Sequence, residues 1–398
     1  MPSRRAVLAG LVATGGAVVG SQMRLDWLGP TPVRADTWPL PRHDHRNTAR
    51  APVTVPSDPE VAWQTAARGT GESVGFVVGP DHVFVGTAHL TAVDRRDGTE
   101  RWQHVGAGGP CALGPDRLYV ADTRPMREGS TLRAFDRSGS EQWAVACQRA
   151  EHVVPVSSGV VLAYGNGVEA FDADGLSRAR GSQSCRGGLA LAGDRLYGGA
   201  TASVSRYTRP TAAEDVLGRF PDDAWTSTAA GFVRGLTVRD GAVLVGCRTE
   251  TAAIEAFDAA DGRHRWQTAP LAGDGYDVRA TRPPVVVGDT VVTAAAVESD
   301  RDERQWYLVG VDADTGDRQW RQPLDAAVRT TIAGESTVLL GTGSADRTGR
   351  LSGSVRAFDT DGTATWHRPL GSTVRRLAVT DGTVFALLAD GRTVALRA

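Results

Sequence analysis

The chain has 398 residues, 41% apolar and 23% charged, with a formal charge of −2. This composition excludes disordered and collagen-like polymers, and the near-neutral balance removes any global electrostatic reason to expect nucleic acid or acidic lipid as a partner. All 44 basic residues are arginine, and four cysteines (Cys111, Cys147, Cys185, Cys247) are too few for a disulfide scaffold; two pairs allow three connectivities that sequence does not choose between.

The chain opens with Arg4 and Arg5, followed by a small-residue apolar run over 6–20. About 15 glycine-rich residues are too short to span a bilayer and fit the apolar region of an export leader. The paired arginines resemble a twin-arginine signal, with Val7 where that signal prefers Phe. Val33-Arg34-Ala35 offers a cleavage site, so residues 1–35 are expected to be a leader and Asp36 the mature start. An extracytoplasmic location follows, and membrane association is expected only if the leader stays uncleaved.

Next, PEVAW (59–63) reads as a fourth strand whose first three are missing. In 73–102, SVGFVV, HVFVGT and LTAVD are short β-rich runs, and TERWQ follows an Asp–Gly turn. That makes four antiparallel strands in about 40 residues. The closing phrase then recurs as TAVDRRDGTERW (91–102), RAFDRSGSEQW (133–143), EAFDAADGRHRW (255–266), VGVDADTGDRQW (309–320) and RAFDTDGTATW (356–366). A worn copy at 169–179 has Ala179 in place of Trp, and 205–224 loses the Asp–Gly phrase. In each copy the Asp accepts turn amides, the Gly supplies a positive φ, and the Trp covers the next unit. Trp63, Trp102, Trp143, Trp225, Trp266, Trp320 and Trp366, with Ala179 filling the gap, recur about every 43 residues. A four-stranded sheet cannot bury both faces alone, so such units stack around a ring. The expected fold is all-β: an eight-bladed β-propeller of four-stranded antiparallel blades over 36–398, closed by pairing 59–63 with the C-terminal blade at 392–398.

The AFDxxxGxxxW phrase at this period resembles the quinoprotein-type repeat, called PQQ-like after pyrroloquinoline quinone. WPLPRHDHRNT (38–48) is similar to that family's Trp-Pro…Asp…Thr lead-in. The resemblance covers essentially the whole of 36–398 and implies two classes of function. One is a quinone-dependent dehydrogenase, with bound calcium, an Asp base, a Trp floor and often a vicinal disulfide. The other is a non-catalytic binding or scaffold protein, such as the scaffold lipoprotein of outer-membrane barrel assembly. This chain has no adjacent cysteines and no calcium-ligand cluster that sequence reveals. The expectation is therefore a non-catalytic binder with no catalytic residue, metal or cofactor, and with PQQ plus calcium as the alternative.

The turns between first and second strands, and between third and fourth, are tight throughout. The longer excursions (122–131, 267–280, 298–305, 343–354) fall on the opposite, B–C/D–A, face. Binding is expected there, because ligand loops concentrate where the scaffold tolerates length. Counting seven residues back from each A–B turn places Val74, Gly109, His152, Gly187, Arg234, Arg282, Arg329 and Arg375 at the channel mouth. His152 and the four arginines are the expected ligand residues, suited to a small anionic ligand or an acidic protein partner; the alternative is that each Arg pairs with a nearby Asp. GESVG (71–75) lacks the strand–turn–helix context that would make Ser73 a nucleophile. DADG, DADTG and DTDG lack the Glu of a calcium loop.

Overall fold

Short Val-rich runs, each ended by a Gly- or Asp-containing turn, pair with their sequence neighbours in up-and-down order. A computed structural model describes residues 29–66, 74–122, 129–182, 184–208, 223–249, 253–268, 277–280, 283–298, 304–345 and 351–398. Among these no residue is helical, and the strands form eight four-stranded antiparallel blades of a propeller. Blades 1 to 7 span 75–104, 111–147, 150–181, 188–228, 232–267, 285–324 and 328–369. Blade 8 takes three strands from 374–397 and its outermost strand, Glu60–Gln64, from the front of the chain. Glu60 pairs with Arg397 and Gln64 with Val394, so the ring closes as the repeat count requires.

One departure from the regular plan lies between blades 5 and 6. Asp277–Ala280, within an expected loop excursion, pairs with Ala242–Thr249 of blade 5 and Thr290–Glu298 of blade 6, joining both blades into a nine-stranded sheet. The parts of the excursions at 123–128, 269–276, 299–303 and 346–350 lie outside the described residues, as do the leader residues 1–28 and Ser73.

Inner and middle strands are sandwiched between neighbouring blades and are apolar on both faces; Gly159–Tyr164 and Thr383–Leu388 are buried throughout. Outermost strands alternate, as in Glu141–Cys147. The tryptophans on these outer strands dock in a constant manner. Trp63, Trp102, Trp143, Trp225, Trp266 and Trp320 each cover the turn glycine of the next blade: Gly98, Gly139, Gly175, Gly262, Gly316 and Gly362. A Cβ on any of these glycines would fall under 3.0 Å from the indole, and all six have positive φ. Several indole N–H groups also donate to the same turns, as in Trp320 Nε1 to Thr360 O at 2.7 Å. The worn copy now has a reason. The sequence of 205–224 carries no Asp–Gly phrase that could pair with a Trp at position 179. Ala179 is buried there beside Cys185, Leu189 and Tyr207.

The central channel is closed from one end by residues 29–55. Trp38 exchanges both backbone hydrogen bonds with Val78 of blade 1, and Pro39 O accepts from Leu113 N of blade 2. His45 O and Arg46 O accept from Leu191 N of blade 4 and Val238 N of blade 5, while Ala49 and Ala51 bond Ala333 of blade 7. Blade 3 is held through Ser157 N to Gly29 O and His45 Nε2 to Pro155 O. Blade 6 is held through Arg42 Nη2 to Pro284 O. The plug meets these partners only with left-handed backbone at His43, Asn47 and Ala49.

Two predictions follow from this packing. Trp266→Ala removes a buried ring and should lower the unfolding free energy by about 3–5 kcal/mol in urea titration; a loss below about 1 kcal/mol would refute the docking role. The second concerns His43, buried against Trp38 with neither ring nitrogen hydrogen-bonded. Burial lowers its pKa to about 4, against the small opposing pull of Asp44. Because the folded ring binds its proton more weakly than the unfolded one, its contribution is full above about pH 6.5 and is lost as pH falls toward 4. The difference corresponds to roughly 3 kcal/mol. His43→Asn, a residue that tolerates left-handed backbone, should therefore lose several degrees less Tm than the natural chain between pH 7 and pH 4; parallel pH profiles would show that the plug does not carry this titration.

Candidate functional site

With one end plugged, the channel opens only on the B–C/D–A face, as a funnel of about 850 Å³. Its floor is the plug itself, Leu40, Pro41, Arg42 and Asn47. Its wall is apolar, with Val74, Val153, Leu236 and Ile332 contributed by first strands or the loops that lead into them. Arg149, Arg186, Arg234, Arg329 and Arg376 stand around it, with Glu151 as the one carboxylate among the described lining residues.

The first strands deliver these side chains through a repeated irregularity. Each of four first strands has an extra residue opposite its partner: Glu151 in blade 3, Arg234 in blade 5, Arg329 in blade 7 and Arg375 in blade 8. A bulge leaves its extra residue out of the ladder and re-aims the side chain. Counting from the turns therefore slips by one in blade 3. The equivalent of Arg234 and Arg329 is Glu151, and His152 corresponds to Arg376. Arg376, not the expected Arg375, lines the cavity, and donates through Nη1 to Arg375 O at 3.0 Å. Arg282 lies outside the described residues.

Charge in the funnel is poorly balanced. Arg186 approaches Glu151 only to 3.8 Å, with both side chains well exposed, a contact of little strength. Arg149, Arg234, Arg329 and Arg376 form no ion pair with a described residue. The alternative expectation, an Asp for each Arg, holds elsewhere in the fold, as for Arg265 with Asp258 at 2.7 Å; Arg234 and Arg329 have no such partner among the described residues, while Arg282 and Asp274 lie outside them. Arg376 opens on the cavity and is otherwise enclosed by protein. Burial lowers its pKa, the neighbouring charge of Arg375 adds to this, and Cys111 opposes it weakly. A guanidinium nonetheless keeps its proton, so the site holds an uncompensated cation. His152 is pushed the other way from protonation: burial lowers its pKa, opposed by a hydrogen bond to the Arg186 main chain.

Sequence reasoning missed Arg149, Glu151, Arg186 and Arg376. The first and third sit in loops off the strand ruler, and the other two are displaced by bulges. Four cysteines are free thiols among the described residues. The aspartates of the calcium-like phrases are engaged by turn amides: Asp172 Oδ1 accepts from Asp174 N and Leu176 N, and Asp312 Oδ1 from Asp314 N and Thr315 N. No group of three or more His, Cys, Asp and Glu able to hold a metal occurs among the described residues. Among them, too, no helix is long and apolar enough to cross a membrane.

Eight blades, six of them joined to the next by a docked tryptophan, with a closing N-terminal strand and a lead-in folded into the channel, define a PQQ-like β-propeller. The chain belongs to the family described as outer membrane protein assembly factor BamB, which it matches over residues 52–179 and 128–398. No curated protein matches the sequence. Among solved structures it is similar to BamB from Moraxella catarrhalis, at 15% identity and a TM-score of 0.61 over 84% of this chain and 97% of that one. It is also similar to the quinohemoprotein alcohol dehydrogenase ADHIIG from Pseudomonas putida HK5, at 14% identity and a TM-score of 0.67 over 92% and 80%. The quinohemoprotein alcohol dehydrogenase from Comamonas testosteroni gives 13% identity and 0.65 over 91% and 80%. These likenesses establish the fold.

The uncompensated charge can be checked directly. Arg376→Leu should leave stability unchanged or raise it by about 1 kcal/mol, because a half-buried cation without a carboxylate gives way to an apolar side chain. A loss above about 1 kcal/mol would mean that Arg376 holds the fold instead.

Proposed function

We propose that this protein is an exported, non-catalytic binding or scaffold propeller that holds a carboxylate- or phosphate-bearing partner in the arginine-lined mouth of its channel. One observation carries the reading: Arg376 is enclosed in the funnel with its charge unanswered by any described carboxylate, while three further unpaired arginines line the same cavity. Guanidinium forks match planar oxyanions and make two parallel hydrogen bonds to them. His152, neutral at pH 7, adds a hydrogen-bonding group without adding to the repulsion. The paired arginines and apolar run at the front of the chain support export, and the family's description as an assembly factor supports a protein partner.

The second reading, a quinone-dependent dehydrogenase, is favoured by the likeness to quinohemoprotein folds. The donor set argues against it. Among the described lining residues Glu151 is the only carboxylate, and it faces Arg186, so the described residues do not fit a quinone held beside calcium.

Calorimetric titration with citrate and with inorganic phosphate tests the proposal. Binding at low salt should weaken at least tenfold in the double variant Arg234→Ala, Arg329→Ala, with Tm moved by no more than about 2 °C. If neither anion binds, the funnel is not an anion site. A parallel titration with pyrroloquinoline quinone and calcium should produce neither an absorbance change nor dye reduction; dye reduction would install the dehydrogenase reading in its place.

A further inference from the structure

Resting on that reading, we infer that the funnel's occupant is an extended segment of a partner protein in which acidic residues alternate with apolar ones. The argument begins with dispersion. Arg149 and Arg186 come from the loops entering blades 3 and 4, and Arg234, Arg329 and Arg376 from the first strands of blades 5, 7 and 8. They are distributed around a cavity of about 850 Å³ rather than gathered at one point. A single carboxylate accepts one guanidinium fork, and a phosphate two or three. A lone carboxylate therefore leaves four of these five cations unmatched, and a phosphate at least two. Matching them requires several acidic groups held apart on one backbone.

Dispersed acids alone would also describe a polyphosphate, and the wall speaks against that. Between the arginines the funnel presents Val74, Val153, Leu236 and Ile332, which a chain of phosphates would have to desolvate against with no return. A peptide brings apolar side chains to cover them. The rim supplies an independent observation. Phe232 is 57% exposed, one of only four large hydrophobic residues so exposed among the described residues. It starts the same first strand that carries Arg234 two positions on. An exposed aromatic beside an unpaired arginine is the combination on which protein-partner binding energy concentrates. Gln148 and Asn166, also in the lining, offer side-chain amides to the main chain of such a segment.

Fluorescence anisotropy with labelled peptides of about twelve residues tests this on the full chain. One probe alternates Glu and Asp with Leu and Phe, a second replaces the acids by Lys, and citrate and tripolyphosphate serve as competitors. The acidic–apolar probe should bind at least tenfold more tightly than the Lys probe. Phe232→Ser should weaken it about fivefold, and by more than it weakens citrate. Arg234→Ala with Arg329→Ala should weaken probe and citrate together. If citrate binds in an arginine-dependent way and the acidic–apolar peptide does not, the peptide inference fails while the anion site stands. It fails equally if tripolyphosphate binds as tightly as the peptide and Phe232→Ser changes nothing. If peptide, citrate and tripolyphosphate all fail to bind, both readings fall.

Discussion

A ring of blades has an inner rim that no strand pairing satisfies. The first strand of every blade bonds its second strand outward and turns its other edge to the channel, where N–H and C=O groups need partners. In this protein residues 29–55 provide some of them at one end of the channel, for blades 1 to 7. The segment lays irregular backbone across the channel and meets blades 1, 2, 4, 5 and 7 through main-chain bonds, and blades 3 and 6 partly through side chains. Regular structure could not serve such a ring, because partners arrive from all sides. Left-handed residues and single hydrogen bonds to successive blades are the consequence. Two buried histidines are another: His45 is bonded to Pro155 O, whereas the His43 ring has no such partner.

The same plug determines where function can reside. With one end closed, the other becomes a blind funnel whose floor is plug and whose wall is the beginning of the first strands. Bulges at that end free one residue per affected strand from the ladder, and the arginines stand at or beside those places. Four of the funnel's arginines are exposed and Arg376 is half-buried, so their repulsion is partly screened by water and is strongest around Arg376. The plug thus closes the back of the site whose open mouth the arginines guard.

Legibility in the sequence divides along the same line. The Asp–Gly–Trp phrase exposed the ring because each element of it answers a local demand: a turn amide, a positive φ, a neighbouring face. Repetition made those demands countable, and Trp63 and the C-terminal strand then had to meet. The funnel was legible only in outline. A ruler measured from the turns holds while strands are regular, and fails where one residue is inserted. In blade 3 it therefore landed on His152, which lines the funnel, and missed the bulge residue Glu151; in blade 8 it reached the bulge residue Arg375, whereas the neighbouring Arg376 lines the funnel. The plug's role was beyond any such ruler, since its partners are scattered from Val78 to Ala333 and share no sequence period. The strand Asp277–Ala280 was hidden for a related reason: its two partners belong to different blades.

Internal repetition also separates what the ring needs from what it does not. Positions required by the architecture are the same in successive copies, and where one half of a docking pair is missing the other is missing too, as at Ala179 and blade 4. The bulge position behaves differently. It is glutamate in blade 3 and arginine in blades 5, 7 and 8, although the backbone irregularity is shared. Ring closure makes no use of a charge there, and the half-buried cation Arg376, next to the bulge of blade 8, works against folding. Arg234 and Arg329 carry charges at the bulge position that the ring closure does not require and that no described carboxylate neutralises, and it is this excess over the architecture that motivates the proposed anionic occupant.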